Sequence, residues 1–133
     1  MCLADIVMSD VSRSDRVAIV DFATASGELT VSKPAADRLL AGSPEQKTCN
    51  FFSDATGQFF AGTWESTPGK WRVRYGENEF CHIVRGEVYI EDDQGAGRSY
   101  KSGDSFVIPA GFVGTWTVRQ PTLKLYVIFE PAS

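Results

Sequence analysis

The chain is poor in the residues that most often carry chemistry. It has one histidine, His82, in 133 residues, and three cysteines, Cys2, Cys49 and Cys81. A single histidine excludes a metal centre built mainly on imidazoles, and an odd set of distant cysteines argues against a disulfide scaffold and for a reducing compartment. No apolar run approaches the roughly 20 residues that span a bilayer. The N-terminus has no basic segment followed by an apolar stretch, so no secretory signal is expected and the cytoplasm is the default. Lys and Arg number 13 against 17 Asp and Glu, a net charge of −4. Non-specific nucleic-acid binding is therefore not expected, since neutralising phosphates requires clustered cations. The one local cluster, Lys70, Arg72 and Arg74, reads as the solvated face of a strand, with anion contact as the lesser option.

What is present fits one packed domain. Hydrophobic residues make up 43% and aromatic residues 12%, and a chain of this length buries roughly two-thirds of its unfolded surface. Residues up to about Asp15 are polar and unpatterned, and Met8 offers a second start site. Val17–Phe22 reads as a strand or an apolar arm. Pro34–Gly42 reads as one short helix, with Pro near its start and Gly at its end. From Thr48 the texture changes to short period-two segments separated by turn residues. Strands are expected near Thr48–Ser53, Gln58–Ser66, Lys70–Tyr75, Glu79–Val84, Glu87–Glu91, Arg98–Tyr100, Asp104–Ile108, Gly114–Val118 and Leu123–Phe129. The organisation is an N-terminal arm with a short helix over residues 1–45 and one all-β barrel or jelly roll over 46–133, a closure that removes exposed strand edges.

Two motifs stand out: Glu79-Phe80-Cys81-His82-Ile83-Val84-Arg85-Gly86 and Gly103-Asp104-Ser105-Phe106-Val107-Ile108-Pro109-Ala110-Gly111. Side chains alternate along a strand, so Glu79, Cys81 and Ile83 share one face and Phe80, His82 and Val84 the other. Cys81 and His82 therefore cannot easily reach one ion. A buried Glu79 needs a partner, and Tyr75, Arg74 or a ligand group could supply it. Glu79 reads either as a structural acceptor in a filled barrel or as an acid, base or ligand anchor. His82 is read as a packed or interface residue before a catalytic one, and Cys81 as a small core residue. Trp71 and Tyr75 alternate with arginines and are expected to point inward.

The two motifs resemble the signatures of the cupin superfamily, the small double-stranded β-helix barrels of RmlC type. Together with Gly69–Val73, Gly114–Trp116 and Lys124–Ile128, they resemble the subfamily labelled (S)-ureidoglycine aminohydrolase-like, itself similar to the ethanolamine-utilisation cupin. The resemblance spans roughly residues 60–130. It implies that Glu79 faces the cavity, and that metal-bearing relatives add three histidines. The corresponding positions here hold Arg72, Val73, Arg74 and Tyr75, and Gly114 in the second motif, so no metal or other cofactor is expected. If Gly114 takes the lost histidine's place, Trp116 shares its inward parity. The resemblance also implies a homodimer, with N-terminal strands crossing between subunits. The leading expectation is a barrel that binds a small organic metabolite without metal, in a pocket formed by Tyr75, Glu79, Cys81, Trp116 and Trp71. A metal-dependent aminohydrolase acting on a ureido or amino compound and a filled, non-catalytic scaffold are the alternatives. Whether the protein catalyses a reaction stays open, with Glu79 the best catalytic candidate.

Overall fold

The computed structural model describes residues 17–132. Nine β-strands run in chain order: β1 Glu28–Ser32, β2 Leu39–Gly42, β3 Gln46–Ser53, β4 Phe59–Ser66, β5 Gly69–Arg74, β6 Asn78–Asp92, β7 Gly97–Lys101, β8 Ser105–Ile108 and β9 Val113–Phe129. All pairings are antiparallel. Val88, Ile90, Val118 and their neighbours supply the β-branched and aromatic alternation that suits a half-buried pleated surface.

Two long strands organise the sheet. The C-terminal half of β9 lies between β4 and the N-terminal half of β6, and β3 and β1 extend that side. The N-terminal half of β9 lies between β5 and the C-terminal half of β6, and β2 follows β5. Strands β8 and β7 flank the two halves of β6 in turn. The β6–β9 register shifts three times between Ile83 and Val88, where Gly86 adopts φ +100°. These bulges curl the sheet until its halves face each other: Trp64 of β4 meets Trp71 of β5 at 6.2 Å and Trp116 of β9 at 5.6 Å between ring centroids. Phe60, Trp64, Trp71, Cys81, Ile83, Val88, Trp116, Tyr126 and Ile128 make the core between the halves.

Several sequence-based expectations change. The helix over Pro34–Gly42 is not formed. The amides of Arg38 and Leu39 both donate to the Ala35 carbonyl, at 2.9 and 3.1 Å, closing one turn. The chain then pairs as β2, with Leu39 opposite Trp71 and Gly42 opposite Gly69. Nine residues make a marginal helix in isolation, and a strand here covers the free edge of β5. Segments expected as separate strands, Glu79–Val84 with Glu87–Glu91 and Gly114–Val118 with Leu123–Phe129, are continuous as β6 and β9. Glu28–Ser32, not expected as a strand, pairs with β3. Val17–Phe22 forms no ladder. It is an arm whose Val17 and Ile19 are fully exposed, tethered where the Phe22 ring meets Phe51 edge-on at 5.0 Å. The readings for the residues before 17, Met8 and Cys2 included, fall outside the described residues.

Candidate functional site

β6 turns Glu79, Cys81 and Ile83 inward, as its alternation requires. Glu79 is 1% exposed. Its charge partner is not Arg74, which is exposed, but Lys124 of β9, 2% exposed; Tyr75, expected from the sequence as a partner, also interacts with the carboxylate. Lys124 Nζ donates to Glu79 Oε2 at 2.7 Å and approaches Cys81 Sγ at 3.5 Å. The same ammonium lies 4.7 Å from the Trp64 ring centre and 4.6 Å from that of Trp116, within cation–π range. Trp71 stacks on Trp116, with centroids 6.4 Å apart and planes 16° from parallel.

Two buried polar atoms in this cluster have no hydrogen-bond partner: Glu79 Oε1 and Trp116 Nε1. One is an acceptor and the other a donor. Tyr75 feels the Glu79 charge and lies within hydrogen-bonding reach of its carboxylate, but the approach to Oε1 falls short of a well-aligned hydrogen bond.

Burial sets the electrostatics. It pushes the Cys81 thiol up; Lys124 pulls back, Glu79 pushes up again, and the thiol stands at about 12. Burial also drives the Tyr75 hydroxyl well above its ordinary value, with Glu79 and Cys81 adding to it. For Lys124 burial acts to discharge the amine, but the Cys81 and Glu79 charges and hydrogen bonds outweigh it and hold the ammonium above the usual range.

All five residues read from the sequence as pocket-forming, Tyr75, Glu79, Cys81, Trp116 and Trp71, are buried in this interior. Lys124 and Trp64 were missed. β9 is apolar on both faces from Leu123 to Phe129, so period-two reading gives Lys124 no direction. The signal that could have found it is a lone lysine in an apolar strand while a buried carboxylate lacks a cation. His82 faces outward and shares a 2.7 Å hydrogen bond, through Nδ1, with Ser105 Oγ.

The residues do not fit the metal that the fold family implies. Arg72 and Arg74 face solvent. A β-carbon on Gly114 would collide with the Glu91 carbonyl oxygen, and Glu79 is engaged by Lys124. Among the described residues no three His, Cys, Asp or Glu side chains stand together as a ligand set.

A surface groove of about 370 Å³ opens beside this interior, floored by Ile90, Phe106, Ile108 and Phe112 and rimmed by Asp92 and Arg98. Tyr100 stacks on Phe106 with centroids 4.0 Å apart, and Phe106 in turn lies 6.3 Å from Trp116. Phe106 thus touches the groove on one side and neighbours Trp116 on the other.

A curled antiparallel sheet with its signature glutamate pointing inward defines an all-β protein of cupin type. The EutQ-like cupin domain family model matches residues 53–126, and the chain belongs to that family. No curated protein matches the sequence. Among solved structures, a protein of unknown function from Pseudomonas syringae pv. tomato is 23% identical with a TM-score of 0.70, over 76% of this chain and 44% of that one. The present chain thus spans less than half of that relative. The Clostridium difficile EutQ protein is 22% identical, TM-score 0.60, with 74% of each chain covered. A putative ethanolamine utilization protein from Salmonella typhimurium is 13% identical, TM-score 0.59, covering 81% of this chain and all of that one. At these identities the likeness is one of fold.

Proposed function

We propose that this cupin binds a small, uncharged organic metabolite in its barrel without a metal. The observation that carries the reading is the unpartnered pair Glu79 Oε1 and Trp116 Nε1, both buried beside Lys124. An unmade hydrogen bond in such a place costs about 1–3 kcal/mol. A guest that carries an acceptor for the indole and a donor for the carboxylate, as amides, ureido compounds and hydroxy compounds do, relieves both. The Lys124 ammonium already offsets the Glu79 charge, so the site favours a neutral guest. Entry is by way of the groove, past Phe106 and Tyr100.

Calorimetric titration with a panel of small amides, ureido compounds and hydroxy compounds tests this. A binder whose heat disappears in Trp116→Phe, which keeps the ring and removes the N–H, supports the reading. A panel with no binder, and a Trp116→Phe variant as stable as the parent, replaces it with the filled scaffold. That second reading draws support from the three tryptophans and Lys124 that occupy the interior. A metal-dependent aminohydrolase ranks behind both, because its ligand set has no counterpart here.

Assembly as a homodimer is part of the proposal. The outer face carries Phe80 between Val107 and Val127, and Phe59 opposite Phe129. Phe59, Phe80, Val107 and Phe129 are 38–59% exposed, the texture of a covered interface. Light scattering that gives a monomer mass at all concentrations would remove this element. The expected compartment is the cytoplasm, in keeping with the free thiols of Cys49 and Cys81. Among the described residues no helix is long and apolar enough to cross a membrane.

A further inference from the structure

We infer that the interior of this barrel is a receptor for a primary alkylammonium group, and that the chain fills it with its own Lys124. The receptor consists of the Glu79 carboxylate at 2.7 Å, the Cys81 sulfur at 3.5 Å and two indole faces at 4.6 and 4.7 Å from the nitrogen. A third indole, Trp71, backs Trp116 and tilts against Trp64. One anion, one soft sulfur and π-faces around a desolvated nitrogen are the chemistry by which proteins hold alkylammonium ligands. The same set is wrong for other cations. A guanidinium needs planar paired acceptors, and a divalent ion needs more ligand atoms than one carboxylate and one neutral thiol.

The lysine stem is the tether. It hangs from β9 opposite Ile83 of β6, one register step beyond the pairing of His82 with Leu125, so the ammonium reaches Glu79 and Cys81 on the neighbouring strand. The arrangement explains how the Glu79 carboxylate stays buried here: the cation is supplied by the chain itself. Removing one partner of a buried pair strands the other, and this receptor therefore depends on the ammonium whether or not a metabolite enters beside it. The inference does not rest on the metabolite reading above.

Chemical complementation tests it. Lys124→Ala deletes three methylenes and the amine, the atoms of propylammonium. The variant is expected to melt well below the parent, and millimolar propylammonium chloride is expected to raise its Tm in a saturable way. Equal concentrations of 1-propanol should raise it far less, and the parent should respond to neither. Should Lys124→Ala fail to fold, Lys124→Met keeps the stem volume and removes the charge. Its unfolding constant should rise on the order of 10²- to 10³-fold, and the double variant Glu79→Gln/Lys124→Met should recover most of that loss. The inference is overturned if 1-propanol and propylammonium act alike, if neither acts on folded Lys124→Ala, or if Lys124→Met alone matches the parent. It is equally overturned if Lys124→Ala takes up one equivalent of manganese, zinc or nickel, which would make the site a metal site blocked by lysine.

Discussion

Tyr126 donates its hydroxyl hydrogen to Asn50 Oδ1 at 2.8 Å, deep between β9 and β3. The Asn50 amide then donates to the Phe52 carbonyl at 3.1 Å and to Ser53 Oγ at 2.9 Å, across the register shift between Asn50 and Phe52. Gly62 makes room for this, since a β-carbon there would lie 2.7 Å from the Tyr126 hydroxyl. Tyr126→Phe leaves a buried acceptor and is expected to cost about 1–3 kcal/mol, read from the urea midpoint. An unchanged midpoint would show that the Asn50 network stands without the tyrosine.

Two glycines with similar backbones separate strain from collision. Gly86 and Gly103 sit at φ +100° and +94°. A β-carbon on Gly103 meets nothing within 4 Å, whereas one on Gly86 meets Thr122 Cα at 2.7 Å and overlaps Thr122 Oγ1. Gly103→Ala should cost about 1–2 kcal/mol of backbone strain alone. Gly86→Ala should cost clearly more. Equal losses in thermal unfolding would mean that β6 and β9 part at Gly86 without penalty.

Stability should fall in alkali. Cys81 is raised in the folded protein from 9.0 to about 12, and Tyr75 and Tyr126 are raised by burial. A group with a raised folded value contributes its stability below the unfolded value and loses it as pH climbs. Lys124, net raised, works in the same direction. The urea midpoint should decline as pH passes through about 9, where the unfolded thiol is half ionised, and Cys81→Ala should delay the onset. A midpoint flat to pH 11 contradicts this.

The same burial controls reactivity. Thiolate, not thiol, attacks alkylating agents. Under native conditions at pH 8, iodoacetamide should label half-buried Cys49 and spare Cys81, which is 0% exposed. Denaturant should equalise the two by peptide mass mapping. Prompt native labelling of Cys81 would reveal an opening to the interior.

Phe106 tests access. Phe106→Ala joins the groove to the Trp116 face and should red-shift and broaden the tryptophan emission. Because Phe106 is only partly buried, it should lower stability by less than the roughly 3–5 kcal/mol that a fully buried phenylalanine costs. Emission unchanged in the folded variant would detach the groove from the interior.

Much of this architecture was readable from residue pattern, and the exceptions have physical causes. Alternation along Glu79–Ile83 placed Glu79 and Cys81 inward and His82 outward, because a strand allows no other arrangement. Arg85-Gly86 looked like a turn because Gly86 does take a positive φ, yet the ladder to β9 continues past it as a bulge. Pro34–Gly42 carries the punctuation of a helix, and its fate was decided by the open edge of β5, which no local signal encodes. The inward-facing aromatics Trp71, Tyr75 and Trp116 emerged from parity. Lys124 did not, since its strand is apolar on both sides and the group it serves lies 45 residues earlier in the chain.

The sharing of β6 and β9 between both halves means that neither half possesses an independent hydrophobic centre. Peeling one away breaks ladders that the other also uses, so amides along both long strands should exchange with solvent only through global opening. Calorimetric and van't Hoff enthalpies should then coincide. A lesion at either rim is transmitted along these two backbones to the Lys124–Glu79 contact, which makes that contact a reporter for the integrity of the entire molecule.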